Sequence, residues 1–133
     1  MLNLLISQSD RKYIIYFATT ACVDYFYKII SSIPQFASWA IVSLHGKMDT
    51  KRREAVFEKF KTAATVKSVM LCTDIAARGL DIPDVDWVIQ FDPPQDPKAF
   101  AHRCGRTARQ GKDGAALAFL TKEEDAYLGM MIS

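Results

Sequence analysis

Apolar residues along the chain fall into two alternating patterns. Short apolar runs rich in β-branched and aromatic residues, each short enough for a buried strand, occur at residues 12–17, 39–43, 68–72, 86–90 and 115–120. Segments with helical spacing predict helices over residues 20–32, 50–63, 97–107 and 123–131, with Asp96 as the N-cap and Pro97 as the first residue of the third. The alternation predicts an α/β fold, with a mostly parallel sheet flanked by helices on both faces and functional loops at the carboxyl ends of the strands.

The composition is that of one ordinary domain. Of the 133 residues 50% are hydrophobic, enough for a core, so we expect a single domain over residues 1–133. A net charge of +2 identifies no partner by itself. The three cysteines, Cys22, Cys72 and Cys104, lack CxxC spacing, which favours a reducing intracellular compartment over a disulfide framework or a zinc site. No apolar run approaches the roughly 20 residues that span a bilayer, so we expect no membrane association.

The loop after the third predicted strand contains several groups suited to a nucleotide or a nucleic acid. Residues 71–83 have the sequence LCTDIAARGLDIP. Gly79 would let a ligand approach the backbone closely, Asp81 could accept hydrogen bonds from ribose hydroxyls, and Thr73 could donate to a phosphate oxygen. The alternative is an ordinary turn closed by Asp and Gly.

A second basic segment follows the third predicted helix. Residues 102–109 have the sequence HRCGRTAR, in which Arg106 and Arg109 are three residues apart. In a helical turn both guanidinium groups can face one ligand, and two forked donors suit a polyphosphate. The alternative is a solvated basic helix end that complements the helix dipole.

A third segment places glycine and cations before a helix. Residues 44–48, LHGKM, are followed by Thr50 and the basic residues 51–53. Such a segment can bind a sugar-phosphate backbone through amide groups and charge, although basic residues on an exposed helix are usually just solvated.

The sequence lacks the parts that hold the phosphates and metal of a nucleotide. Gly105 and Gly111-Lys112 do not have the spacing of a phosphate-binding P-loop, and Asp113 stands where that motif needs Ser or Thr. There is no Asp-Glu-Ala-Asp sequence, so no metal site is expected here. Arginines suited to a γ-phosphate without a means of holding the nucleotide indicate half of a catalytic site.

The order of these segments resembles the second, C-terminal RecA-like domain of DEAD-box RNA helicases. Residues 14–19, Gly46 with its preceding histidine, residues 73–81 and residues 102–109 match that family's motif IV, HG and QxxR region, motif V and motif VI. The match runs over nearly the whole chain and implies a three-layer RecA-like domain. The family's cofactor is ATP, whose Mg²⁺ would be held by an N-terminal RecA-like domain of the same protein.

The resemblance implies roles on the ATP side for four residues. Gly79 and Asp81 would contact the ribose side of ATP. Arg106 and Arg109 would be the catalytic arginine fingers that approach the γ-phosphate when the two domains close. The intact protein would be an ATP-dependent RNA helicase with RNA-stimulated ATPase activity, whereas this domain alone would be inactive.

The resemblance also implies RNA contacts and a coupling function. Gly46, Arg53 and Thr73 would hold the RNA backbone without reading its sequence. His102 and Arg78 would couple the two domains.

Two departures and one narrower likeness refine the assignment. The glutamine of QxxR is replaced by Thr50, and Thr20 and Ala21 stand where the family is often basic, so RNA contact at that edge is expected to be thinner. Residues 21–25, 45–48, 91–94 and 101–109 are similar to DEAD-box proteins of large ribosomal subunit assembly, or represent drift within a large family. The narrower likeness implies pre-ribosomal RNA and particles as partners and a nucleolar location. Otherwise the cytoplasm is expected.

Two other functions compete with the helicase. A binding module of this fold that has lost its motor should lack Arg106, Arg109 or Asp81, and all three are present. A small-molecule α/β enzyme using the strand-end crevice would need a glycine-rich phosphate loop, which is missing.

Overall fold

Five parallel strands form one sheet in the computed structural model, which describes residues 1, 5, 12–62, 67–77, 85–94, 96–105, 107, 114–124 and 129. The strands are β1 Lys12–Tyr16, β2 Ala40–Leu44, β3 Ser68–Cys72, β4 Trp87–Gln90 and β5 Ala115–Ala118. Their order in the sheet is β2-β3-β1-β4-β5, and every described pair is parallel. The predicted α/β fold is therefore confirmed.

Four α-helices occur among the described residues: α1 Thr20–Ser32, α2 Thr50–Thr62, α3 Asp74–Ala77 and α4 Pro97–Cys104. Short 3-10 helices cover Pro34–Phe36 and Lys122–Glu124. The Asp96 carboxylate accepts a hydrogen bond from the Lys98 N–H at 2.9 Å, which confirms the predicted N-cap of α4. No helix among the described residues is long and apolar enough to cross a membrane.

Several predicted boundaries were wrong by a few residues. The helix predicted to reach residue 107 ends at Cys104, because the Thr107 hydroxyl donates to the Asp86 carbonyl oxygen at 3.0 Å and draws the chain toward the sheet. Strand β4 begins after Asp86, whose carboxylate accepts from the Lys12 N–H at 2.7 Å. The start of the last predicted helix is a 3-10 helix, and most of its remainder lies outside the described residues.

The register of the sheet brings four loops to one edge. Tyr16, the last residue of β1, lies beside Cys72 of β3 and Gln90 of β4, and Leu44 of β2 lies beside Cys72. The segments that follow these strands therefore leave the sheet side by side. The Phe17 N–H extends the pairing past β1 by donating to the Cys72 carbonyl oxygen at 2.9 Å.

Apolar layers cover both faces of the sheet. Successive strand residues point to opposite faces, so Ile14 packs with one cluster that includes Phe57 and Phe60 of α2. Ile15 packs with the other cluster, which includes Val23 and Ile30 of α1. These layers form the expected three-layer arrangement and hold the strand-end loops on a rigid base.

Candidate functional site: a cleft at the carboxyl edge of the sheet

A cleft of about 460 Å³ opens where β1, β2 and β3 end. It is lined by residues of the three strand-end loops and of the starts of α1 and α3: Phe17, Ala18, Thr20, Gly46, Lys47, Thr73, Asp74 and Ile75. Two of the three predicted RNA contacts, Gly46 and Thr73, lie together in this cleft. The parallel register explains the meeting, because residues far apart in sequence follow neighbouring strand ends.

Gly46 presents an open backbone to the cleft. It is exposed, and a Cβ added there would lie 3.6 Å from Cγ2 of Ile75, an ordinary van der Waals distance. Internal packing therefore does not require glycine at this position. What glycine provides is room for another molecule to approach the backbone.

Thr73 has a hydroxyl hydrogen available for donation. Its side chain is almost buried at the floor of the cleft, and its hydroxyl oxygen accepts a long hydrogen bond from the Ala76 N–H, at 3.4 Å. This contact uses the oxygen as an acceptor and leaves the O–H free to donate. The arrangement suits an acceptor such as a phosphate oxygen.

Arg53 lies in the first turn of α2 and is not among the residues that line the cleft. The Asp49 side chain caps this helix by accepting from the Arg52 N–H at 2.8 Å. The first turn contains three cations and no acidic residue. Cations at a helix N-terminus oppose the helix dipole, so this turn costs stability in the free protein and favours a polyanionic partner.

The structure describes only one of the predicted residues on the ATP and interdomain side. His102 is exposed near the end of α4. The others lie outside the described residues: Arg78, Gly79, Asp81, Arg106 and Arg109. The described residues contain no group of three or more His, Cys, Asp or Glu that could hold a metal ion.

Arg103 is a central residue that the sequence analysis missed. Its side chain is 4% exposed, and its Nε and Nη2 donate to the two Asp74 carboxylate oxygens at 2.6 and 2.5 Å. Nη1 donates to Oε1 of Gln90 at 3.2 Å and to the Asp92 carbonyl oxygen at 2.8 Å. The guanidinium also lies over the Tyr16 ring, 4.8 Å from its centroid. Arg103 thus connects α4 to the residue that follows Thr73.

The same network reaches the loop after β1. The Asp92 carboxylate accepts from the Ala18 N–H at 3.0 Å, and Ala18 lines the cleft. Three strand-end loops are therefore joined to α4 through Arg103 and Asp92. The sequence carries no clear signal for this pairing, because it does not show which of several basic residues meets Asp74.

Two cysteines near this network, Cys72 and Cys104, lie in surroundings that disfavour the thiolate. Burial raises the pKa of Cys72, with the nearby Arg103 opposing the shift. Burial also raises the pKa of Cys104, against the opposing effects of the hydrogen bond from Gln90 and of Arg103. Burial therefore favours the protonated form of both thiols over the thiolate.

His45, which precedes Gly46, was also missed. Its Nε2 lies 3.3 Å from the Asp24 carboxylate on α1, and its buried Nδ1 has no hydrogen-bond partner within the described part of the chain. The pair attaches the loop after β2 to α1 and so helps to fix the position of Gly46.

Comparison with known proteins agrees with this geometry. The family described as helicase conserved C-terminal domain matches residues 1–111. A probable ATP-dependent RNA helicase, ddx55, of Dictyostelium discoideum is 52% identical over 129 residues, which are 96% of this chain and 19% of that protein. The ATP-dependent rRNA helicase SPB4 of Cryptococcus neoformans is 44% identical, over 97% of this chain and 18% of that protein. This chain spans about a fifth of the length of these relatives.

Solved structures show the same domain. Domain 2 of the DEAD-box helicase Mss116p, bound to an RNA duplex, has a TM-score of 0.83 at 30% identity, covering 98% of this chain and 50% of that chain. The yeast DEAD-box splicing factor Prp28 has a TM-score of 0.80 at 28% identity, covering 98% of this chain and 28% of that chain. The resemblance identified from the motifs is confirmed. The chain belongs to the family of the helicase conserved C-terminal domain, and within it to the DEAD-box helicases.

Proposed function

We propose that this chain acts as the C-terminal RecA-like half of an ATP-dependent RNA helicase and binds the RNA backbone in the cleft at the sheet edge. The observation that carries the proposal is the meeting of Gly46 and Thr73 in one cleft, with Gly46 on the chain segment that leads into the cationic first turn of α2. An open backbone, a free hydroxyl hydrogen and nearby cations are the groups that recognise a sugar-phosphate strand. Contacts of this kind bind RNA without reading its sequence.

ATP would be shared between this domain and the N-terminal RecA-like domain of the same protein. Gly79 and Asp81 would contact the ribose, while the N-terminal domain would hold the phosphates and Mg²⁺. Arg106 and Arg109 would approach the γ-phosphate on closure and neutralise its developing charge, an effect typically of about 10³–10⁵ in rate. This domain by itself would hydrolyse no ATP, because it would supply the arginine fingers without the groups that hold the phosphates and Mg²⁺.

The strand-end network would connect the two ligand sites. Thr73 and Asp81 are on one segment, and Asp74 of that segment is held by Arg103 of α4, the helix that precedes the proposed fingers. His102 and Arg78 would face the other domain. A shift of the segment on RNA binding would thus be transmitted to α4.

Ribosomal RNA precursors are the proposed substrates. Support comes from the relatives, since the SPB4 protein of Cryptococcus neoformans is named an rRNA helicase. The protein would then work on pre-ribosomal particles in the nucleolus.

RNA binding by a hydroxyl-deleted variant tests the proposal. Thr73→Val in the intact protein should weaken binding of single-stranded RNA, measured in the presence of a non-hydrolysable ATP analogue. Thr62→Val is the matched control, because the Thr62 hydroxyl bonds to the Glu58 carbonyl oxygen at the exposed end of α2. Parental affinity in Thr73→Val would refute the assignment of the cleft to RNA.

A further inference from the structure

Two side chains in the cleft have no contact of their own assigned so far, although Lys47 belongs to the basic segment 44–48. Lys47 is exposed, lines the cleft and forms no ion pair with any described residue. Ile75 also lines the cleft and is 68% exposed, although it is aliphatic. They come from different loops, after β2 and β3. Both are exposed at one concave site.

The setting of Ile75 differs from that of an ordinary exposed apolar residue. Isolated apolar side chains on a convex surface are common and need no explanation. Ile75 instead lies within a cleft, with its Cγ2 at 3.6 Å from the position that a Cβ on Gly46 would take. It therefore forms an apolar patch on one wall of a site whose polar side chains are two hydroxyls, the Lys47 ammonium and the Asp74 carboxylate. The charge of that carboxylate is balanced by its ion pair with Arg103.

The form of the cleft favours a sugar over a base at this patch. Bases in single strands bind to exposed aromatic rings. The aromatic lining residue, Phe17, is fully buried and stacked on Phe26 at a centroid distance of 5.1 Å, so its ring cannot serve as such a platform. An aliphatic side chain beside an open glycine suits the C–H face of a ribose.

We propose that the cleft seats one nucleotide of the RNA strand, with its ribose against Ile75 and an adjacent phosphate at Lys47. The inference rests on the proposed RNA-binding function and adds two residues to that site. Thr73 would donate to the same stretch of backbone from the cleft floor. The volume of about 460 Å³ lies within the range of pockets that enclose small ligands, and so has room for a nucleotide.

The two contacts have different signatures in a salt titration. Lys47→Gln removes one phosphate contact, so the slope of log affinity against log salt should fall in magnitude by about 0.7 for a single strand. Ile75→Ala removes only apolar contact, so it should weaken binding about fivefold at every salt concentration and leave the slope unchanged. Ile75→Leu should restore most of the affinity. The probes are oligo-A and oligo-U, bound to the intact protein with a non-hydrolysable ATP analogue.

Matched controls separate the site from general effects. Lys61→Gln removes the same charge from the last turn of α2, and Tyr25→Ala removes an exposed apolar side chain outside the cleft lining. Both controls should keep the parental slope and affinity. Lys47→Gln, Ile75→Ala and Lys61→Gln should keep the parental melting temperature, since the removed side chains are exposed.

The outcomes distinguish this inference from the proposed function. If Thr73→Val weakens RNA binding while Lys47→Gln and Ile75→Ala behave like the parent, the contacts proposed for Lys47 and Ile75 are wrong. The proposed binding of RNA in the cleft is then kept. If all three behave like the parent, the RNA function of the cleft fails as well. A loss in Ile75→Ala that differs between oligo-A and oligo-U would show contact with a base and overturn the ribose assignment.

Discussion

The Arg103 guanidinium and the Asp74 carboxylate form two hydrogen bonds, of 2.6 and 2.5 Å, across 29 positions of sequence. Arg103 is 4% exposed, whereas Asp74 remains 37% exposed at the margin of the cleft. The pair therefore joins a residue inside the domain to a residue at its ligand-binding edge. The pair therefore stabilises the fold and also connects α4 to the loop that follows β3.

Asp74→Ala should lower the free energy of unfolding by about 3–5 kcal/mol, because it leaves the buried Arg103 without its carboxylate. Urea denaturation measures the change. The double variant Asp74→Ala/Arg103→Met should recover part of the loss, since no buried charge remains. Glu58→Ala, at an exposed carboxylate on α2, is the control and should change little. An unfolding free energy of Asp74→Ala within about 0.5 kcal/mol of the parent would contradict this account of the pair.

Stability should fall in alkaline solution through Cys72. Its folded-state pKa is raised by burial above the ordinary 9.0, so above that pH the unfolded thiol loses its proton while the folded thiol keeps it. The folded state then binds more protons, and the free energy of unfolding decreases as pH rises. Denaturation of the parent and of Cys72→Ala between pH 8 and 10.5 gives the comparison. The parent should show the steeper decline, and parallel curves would mean that the thiol titrates freely.

Gly46→Ala should separate folding from RNA binding. The added Cβ would lie 3.6 Å from Cγ2 of Ile75, which the fold accepts, but it would occupy the space open to the RNA backbone. We expect a parental melting temperature and RNA affinity weakened about tenfold, which corresponds to ~1.4 kcal/mol. Gly129→Ala, where an added Cβ meets nothing within 4 Å, is the control. A lower melting temperature in Gly46→Ala would show that the glycine has a packing role.

The proposed arginine fingers should affect turnover more than binding. Arg106→Ala or Arg109→Ala in the intact protein should lower kcat for ATP hydrolysis by at least about 10²-fold, while ATP affinity changes much less, since a finger acts on charge in the transition state. Lys61→Ala, in the exposed last turn of α2, is the control. Parental turnover in both variants would show that the two arginines have no catalytic role and belong to a solvated basic helix end.

Much of the fold could be predicted because its signals are local. The run Ser68–Cys72 is buried at all five positions, and its apolar sequence alone gave the correct ends of β3. The same holds for α1, whose amphipathic spacing matched Thr20–Ser32. The meeting of Gly46 and Thr73 could also be expected, since both follow neighbouring strands of a parallel sheet.

The remainder depends on contacts between distant segments. In the sequence, Arg103 is one of several cations in a basic segment. In the fold, its side chain contacts Asp74, Gln90 and Tyr16. The end of α4 was missed for the same reason, because the Thr107 hydroxyl bonds to the Asp86 carbonyl oxygen on another segment. Spacing along a sequence does not encode such pairings.

The central claim is that one segment of chain, from Thr73 to Asp81, links the RNA and ATP sites. By linkage, RNA should tighten ATP binding by the same factor by which ATP tightens RNA binding. Thr73→Val should weaken RNA affinity and reduce that factor from the RNA side, and Asp81→Ala should reduce it from the ATP side. The decisive measurement is RNA affinity with and without a non-hydrolysable ATP analogue for the intact parent and both variants. We predict a smaller analogue-induced gain in each variant than in the parent, and an equal gain in all three would contradict the account.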